Sequence, residues 1–99
     1  MKSPREREIR TRIDCRERTA QDTLAALVPI CQDACSRGRH HVVVVAHLDQ
    51  LQDSVSRLLK GLERLSDDLG ARIILEDRSG FADAFRNALG GAHFDLRTA

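Results

Sequence analysis

The chain has no excess of charge of one sign. Its 99 residues include 16 Lys or Arg and 15 Asp or Glu, which gives a formal net charge of +1. A balanced composition creates no long-range field that would attract nucleic acid, an acidic substrate or a membrane surface. We therefore do not expect nucleic acid among the partners, and recognition should depend on shape and local chemistry.

Long apolar runs are also missing. No run approaches the ~18 residues that a membrane-spanning helix needs, and the polar start over residues 1–18 lacks the apolar segment of a signal peptide. We expect a cytoplasmic protein that is not inserted into a membrane. Residues 1–8 are predicted to form a flexible charged arm, and residues 9–99 a single domain.

The cysteines do not form a disulfide framework. They are three in number, Cys15, Cys31 and Cys35, and an odd count without a secretion signal is typical of reduced thiols. Cys31 and Cys35 are four residues apart and are followed by His40 and His41, and all four are of the types that bind metal ions. Inward-facing cysteines at helical spacing are more often small core residues, so we predict no metal and no cofactor.

Catalytic motifs are absent as well. Apart from Gly61, the glycines lie at predicted helix ends, and the sequence contains no phosphate-cradling glycine loop, no G-x-S-x-G, no H-E-x-x-H and no paired C-x-x-C. Asp14 or Asp53 acting as a base would need a second catalytic group, and none is visible. We therefore predict no catalytic residue and no enzymatic activity.

The strongest pattern that is present is the run of four valines at residues 42–45. Consecutive β-branched residues without polar alternation predict a strand that is covered on both faces, as in the centre of a parallel sheet. Upstream, Ile9, Thr11, Ile13 and Cys15 alternate with polar residues, the period of a half-buried strand. We expect this first strand to lie at an edge of the sheet.

Two amphipathic helices flank the valine strand in sequence. The first should begin at Thr19, which with Asp22 resembles a capping box, and end before Gly38. Pro29 lies inside it and should bend or split it. The second should end at Gly70. Their apolar faces consist of Leu24, Leu27, Val28, Cys31 and Cys35 in the first helix, and Val55, Leu58, Leu59, Leu62, Leu65 and Leu69 in the second.

The last third of the chain predicts a strand, a turn, a short helix and a final strand. The strand covers Ala71 to Leu75, and Asp77, Arg78, Ser79 and Gly80 form the turn, with Ser79 as the N-cap. The helix should bury Phe81, Ala84, Phe85, Ala88 and Leu89 and end at Gly90-Gly91, before a strand containing Phe94 and Leu96. The alternation predicts a small α/β layer fold with a four-stranded, mostly parallel sheet and about three helices.

A polar cluster follows the valine strand, where α/β folds place ligand and partner sites. Asp53 or Ser54 is expected to cap the second helix. We define the docking surface as this turn together with the exposed side of the helix that follows. Its residues are Asp49, Gln50, Gln52, Asp53, Ser54, Ser56, Arg57 and Lys60.

The order of the elements resembles a STAS domain, the fold of bacterial anti-sigma factor antagonists and of the cytoplasmic tails of sulfate transporters. In such domains a valine-rich strand leads into a D-S-S-G-L turn and a leucine-rich helix. The matching segments here are residues 42–45, Asp53-Ser54-Val55-Ser56 and Leu58-Leu59. Leu89-Gly90 and Phe94-Asp95-Leu96 are similar to the close of the family's last helix and its F-D-V-like ending.

The resemblance implies a non-catalytic regulatory module with a protein partner, either an anti-sigma kinase-like regulator or a transporter subunit. In the antagonists the partner kinase phosphorylates the second serine of D-S-S-G, and the surface around that serine docks the kinase. Val55 occupies the matching position here, so Ser54 becomes the predicted phosphorylation site. The family's initial β-hairpin is reduced to one strand, and the edge this exposes favours a homodimer.

Two segments, residues 11–17 and 42–51, are similar to the signature segments of serine recombinase catalytic domains. The position of the nucleophilic serine holds Asp14, and two arginine positions hold Gln50 and Asp53. A carboxylate repels a phosphodiester, and two missing guanidinium groups remove stabilisation of the transition state. The alternative function is therefore a degenerate recombinase-like domain that binds DNA or oligomerises without cleaving strands.

Overall fold

A computed structural model describes residues 8–88 and 93–98. Over these residues the chain forms an α/β domain with a four-stranded sheet and three helices, as predicted. The third helix is of the 3₁₀ type, and a short 3₁₀ turn follows the second strand. The elements are β1 (Glu8–Arg12), α1 (Ala20–Ser36), β2 (His41–Ala46), the 3₁₀ turn Leu48–Gln50, α2 (Val55–Leu69), β3 (Arg72–Asp77), the 3₁₀ helix Phe81–Ala88 and β4 (Phe94–Thr98).

The four strands are all parallel and lie in the order β1-β2-β3-β4. The valine strand β2 is internal and β1 is at an edge, which confirms both expectations. Glu8, which the sequence assigned to a flexible arm, is the first residue of β1, and residues 1–7 of that arm lie outside the described residues. In the described part of the chain, none of the helices is long and apolar enough to cross a bilayer.

Both α-helices pack on one face of the sheet. Alternate residues of β2, Val42 and Val44, join Ile73 and Leu75 of β3 beneath the helices, and all four are fully buried. Val43 and Val45 point to the opposite side and form a separate buried cluster with Ile74 of β3. None of the described helices contributes to this second cluster, and we call this side the open face.

An ion pair covers the valines of the open face. Arg10 lies opposite Val43 and Glu76 lies opposite Val45, and Arg10 Nη2 donates to Glu76 Oε2 at 2.7 Å. Because β2 lies between β1 and β3, this contact crosses it. The apolar stems of the two side chains therefore shield the valines from water, and the valines are only 0% and 6% exposed.

Helix α1 begins as the sequence predicted. Thr19 Oγ1 accepts a hydrogen bond from the backbone N–H of Asp22 at 3.1 Å. The helix continues without interruption through Pro29, which is exposed, so it is not split in two. Cys31 is fully buried on the inner face of the helix, in agreement with its assignment to the core.

Helix α2 has both of its predicted ends. Ser54 Oγ accepts from the Arg57 N–H at 3.3 Å, and Gly70 ends the helix in the left-handed conformation at φ 62°. The helix passes close to α1 at Gly61. A Cβ atom added there would lie 2.6 Å from Leu24 Cδ2, so the glycine allows the two backbones to approach.

The last third of the chain differs from the prediction in two respects. Strand β3 extends two residues beyond its predicted end, to Asp77. The helix that follows buries Ala82 and half-buries Phe85, whereas Phe81 and Ala84 are exposed. A 3₁₀ helix has three residues per turn, so residues three apart share a face and the predicted α-helical face is wrong. The predicted stop at Gly90-Gly91 and the Leu89 contact lie outside the described residues.

Candidate functional site

The carboxyl ends of the four parallel strands lie at the same edge of the sheet. The loops after β1, β2 and β3 therefore come together there, although they are far apart in sequence. Two features meet at this edge: the docking surface, which starts in the turn after β2, and an open cleft on its β1 side.

Asp77, the last residue of β3, connects three segments at this edge. Its Oδ1 accepts from the Leu48 N–H at 3.1 Å, the Ser79 N–H at 3.0 Å and the Ser79 hydroxyl at 2.6 Å. Its Oδ2 accepts from the Ala82 N–H at 2.8 Å. One fully buried carboxylate thus joins the turn after β2, the turn after β3 and the start of the 3₁₀ helix Phe81–Ala88.

The hydrogen bonds of Asp77 also determine its ionisation. Burial raises the pKa of the carboxyl group, but the bonds donated by Ser79, Ala82 and Leu48 outweigh burial and leave the pKa below its usual 3.8. The sequence placed Asp77 in the turn that follows the third strand, and that prediction is wrong, because Asp77 is the last residue of β3. The serine two residues later is the local signal for its role, since Asx-type turns bring such pairs together.

The turn after β2 is held against the start of α1. The Gln52 N–H donates to the Arg18 carbonyl at 3.0 Å, and the Ala20 N–H donates to Asp53 Oδ1 at 2.6 Å. Asp53 therefore accepts a hydrogen bond from the first residue of α1, whose N-cap is Thr19, whereas Ser54 caps α2. Of the two capping expectations for α2, the one for Ser54 is confirmed and the one for Asp53 is wrong, because its partner comes from a helix 33 residues away in the chain.

Most of the docking surface is accessible. Ser56 is half-buried, whereas the other members, Asp49, Gln50, Gln52, Asp53, Ser54, Arg57 and Lys60, are exposed. Val55, at the position of the family's phosphorylated serine, is 4% exposed and belongs to the core. Ser54, which lies between Asp53 and Val55 in the sequence, is exposed at the surface.

The second feature is an open cleft of ≈ 640 Å³ at the ends of β1 and β2, which we call the edge cleft. Apolar residues and three arginines are among the residues that line it. Gln50 is the member of the docking surface that also lines it. The lining residues are Arg12, Ile13, Asp14, Arg16, Val45, Ala46, His47, Gln50 and Arg78.

Two ion pairs lie along the cleft. Arg16 contacts both oxygens of Asp14, with Nε at 3.1 Å from Oδ1 and Nη2 at 3.0 Å from Oδ2. The side-chain and backbone hydrogen bonds from Arg16 lower the pKa of Asp14 to about 2. Arg78 Nη2 lies 3.1 Å from Glu76 Oε2, the oxygen that Arg10 also contacts. This arginine cluster was not predicted from the sequence, in which the polar alternation of β1 was the available signal.

The recombinase-like positions are only partly brought together. Arg12 and Asp14, from one signature segment, and Gln50, from the other, line the same cleft. Asp53 is not among the residues that line this cleft. Its carboxylate is bonded instead to the first turn of α1.

The cysteines and histidines do not assemble. Cys15 and Cys31 are buried, and burial raises the pKa of the Cys31 thiol to about 11. His40 and His41 are exposed. Within residues 8–88 and 93–98, no three His, Cys, Asp or Glu side chains are placed to hold a metal ion.

No protein-family model, curated protein or solved structure matches this chain. The resemblances to STAS domains and to serine recombinase catalytic domains therefore depend on the matching sequence segments and on the positions of those segments in the fold.

Proposed function

We propose that the chain is a non-catalytic regulatory module of the anti-sigma factor antagonist type, which binds a protein partner through the docking surface. The observation that carries this proposal is that the turn after β2 is both exposed and fixed. Its members are accessible to a partner, while the Gln52 N–H is bonded to the loop before α1 and the Asp53 carboxylate is bonded to the first residue of α1. A loop that is ordered before binding loses little conformational entropy when a partner arrives, which favours affinity.

Phe81 adds an anchor beside the turn. It is 52% exposed, the one large apolar side chain exposed to this extent among the described residues. Its ring centroid lies 6.1 Å from that of Phe85. The Asp49 N–H donates to Ser79 Oγ at 3.4 Å, and the same oxygen accepts from the Phe81 N–H. An exposed aromatic ring on a fixed backbone is typical of residues that contribute strongly to protein interfaces.

Ser54 is suited to act as a switch. Its hydroxyl is at the first turn of α2, where a phosphate would face free backbone N–H groups and the positive end of the helix dipole. Aspartate is also a good N-cap residue, so a negative group there should leave the helix intact. Modification of Ser54 would therefore change the charge of the docking surface and leave the fold unchanged.

The test uses the purified chain as bait in a lysate of its host, with bound proteins identified by mass spectrometry. Three baits are compared: the unchanged chain, Ser54→Asp, and Gln32→Glu, which adds the same charge on the exposed side of α1. We expect the unchanged chain and Gln32→Glu to capture an ATP-binding kinase-like regulator or a transporter subunit, and Ser54→Asp to lose it. Thermal melts of all three should agree closely.

Two results would contradict the proposal. Equal capture of that partner by Ser54→Asp would remove Ser54 from the interface, and a large drop in the melting temperature of Ser54→Asp would make its role structural.

The alternative is a degenerate recombinase-like domain that binds DNA, and one observation favours it. The fold places Arg12, Asp14 and Gln50, three positions of the two recombinase-like segments, around one cleft. Salt-sensitive binding of duplex DNA that is lost in Arg12→Gln supports this alternative. Absence of DNA binding at low salt rejects it.

A further inference from the structure

We propose that the edge cleft binds a small organic phosphate. The cleft lies beyond the carboxyl ends of parallel strands, and three arginines from three separate segments line it: Arg12 at the end of β1, Arg16 in the next loop and Arg78 after β3. Convergent charged groups around a concave apolar site are the ordinary sign of a ligand pocket. The inference does not depend on the proposed partner or on Ser54.

The charges around the cleft are not balanced locally, although the whole chain is nearly neutral. Asp14 is bonded on both oxygens to Arg16, so that pair contributes little net charge. Glu76 is shared between Arg10 and Arg78. Among the described residues Arg12 has no ion-pair partner within 4.0 Å. The three arginines that line the cleft therefore exceed Asp14, the carboxylate among the lining residues, by two positive charges, and the neighbouring pair of Arg10 and Glu76 adds no net charge. This excess suits the dianion of a phosphate monoester.

The apolar residues that line the cleft are the reason why we expect an organic group on the ligand. The lining includes the half-buried Ile13, together with Val45 and Ala46, which are at most 6% exposed. Arginine recognises phosphate through paired N–H donors, and the flat guanidinium of Arg12 can also lie against a ring. The volume of ≈ 640 Å³ lies within the range of ~300–1,000 Å³ found for small-molecule sites. A phosphate attached to a small apolar group would therefore suit both the arginines and the apolar residues of the cleft.

The experiment titrates three probes into the ¹⁵N-labelled chain at constant ionic strength: phenyl phosphate, inorganic phosphate and phenol. The variants are Arg12→Gln and Arg78→Gln. The matched control is Arg72→Gln, which removes the same charge from the exposed first residue of β3. It lies six residues before Arg78, roughly 20 Å away along an extended strand. Circular dichroism checks that each variant is folded.

We expect phenyl phosphate to shift the amide signals of Ile13, Ala46 and His47, and to bind more tightly than inorganic phosphate. Each cleft variant should weaken phenyl phosphate about tenfold, since one charge-assisted bond to a phosphate is lost. Arg72→Gln should change the dissociation constant less than twofold. Equal binding of phosphate and phenyl phosphate would assign the site to free phosphate and overturn the organic part of the proposal.

Two further outcomes would overturn the proposal altogether. One is equal weakening by all three arginine variants, which would indicate non-specific attraction. The other is binding of phenol as tight as that of phenyl phosphate, because the guanidinium groups would then contribute nothing. The partner experiment with Ser54→Asp changes none of these readouts, so the two proposals can fail separately.

Discussion

Replacing Asp77 with Asn keeps the shape of the side chain but turns one carboxylate oxygen into an NH₂ group. The best orientation keeps an oxygen at Oδ1, where three donors from Leu48 and Ser79 converge. The NH₂ group then faces the Ala82 N–H, whose distance to Oδ2 is 2.8 Å in the native chain. Two donors oppose each other in a buried site, and one charge-assisted bond is lost while the other three weaken. We expect a loss of about 3 kcal/mol, a large part of the ~5–15 kcal/mol that stabilises a domain.

Urea unfolding followed by far-UV circular dichroism measures this loss, since the chain contains no Trp or Tyr for fluorescence. With a slope of ~1–3 kcal/mol per molar urea, the midpoint should fall by about 2 M. Asp49→Asn is the matched control at the same edge, because that side chain is exposed. Its change should stay within about 0.5 kcal/mol, the usual range for surface positions. A midpoint for Asp77→Asn equal to that of the control would refute the role assigned to Asp77.

The difference between the native chain and Asp77→Asn should also depend on pH. The pKa of Asp77 is lowered in the folded state, so its contribution to stability is complete above the unfolded value of 3.8 and is lost as the pH falls through the folded value. The two proteins should therefore differ by a constant amount above about pH 5 and converge in acid. A constant difference down to the lowest pH at which both fold would contradict this linkage.

Three other perturbations test separate parts of the structure. Arg16→Gln should return the pKa of Asp14 from about 2 towards 3.8, measured by ¹³C NMR of the carboxyl group, and an unchanged pKa would show that Arg16 is not the cause. Gly61→Ala should lower the stability of the native chain, because the added Cβ would clash with Leu24. In a Leu24→Ala background the clash is absent, and the same change should raise the stability by up to ~1 kcal/mol. Equal effects in both backgrounds, measured by urea unfolding, would contradict the close packing of Gly61 against Leu24. Pro29→Ala should raise the free energy of unfolding by about 1–2 kcal/mol, because the exposed helix interior regains a backbone hydrogen bond. This gain outweighs the opposing effect of the entropy that the unfolded chain gains. A destabilised variant would count against the expectation.

The elements that could be predicted are those specified by local pattern. The run from Val42 to Val45 fits an internal parallel strand because each side chain is buried whichever way it points. Gly70 ends α2 because the left-handed conformation is inexpensive for glycine, and Thr19 caps α1 through its own hydroxyl. Each of these features depends only on residues that are close together in the sequence. A short stretch of sequence is therefore enough to predict it.

The parts that could not be predicted depend on pairing across the fold. Asp53 precedes α2 and has the composition of a cap for that helix, but its acceptor oxygen bonds the N–H of Ala20. Asp77 resembles a turn residue until the register of β2 and β3 brings the Leu48 N–H to its carboxylate. The same holds for the site. The position of the docking surface followed from the order of strand and helix, whereas the arginines of the edge cleft meet only after three strands align.

The bond between Asp53 and Ala20 makes the start of α1 a natural reporter of the neighbouring turn. A hydrogen bond of 2.6 Å to a carboxylate should move the amide proton of Ala20 far downfield. Asp53 is adjacent in sequence to Ser54, so a phosphate or a bound partner at that serine would alter the field or the geometry of the bond. The Ala20 resonance would then shift although the residue takes no part in binding. A single peak in a proton–nitrogen spectrum would thus follow the state of the docking surface in an otherwise unmodified protein.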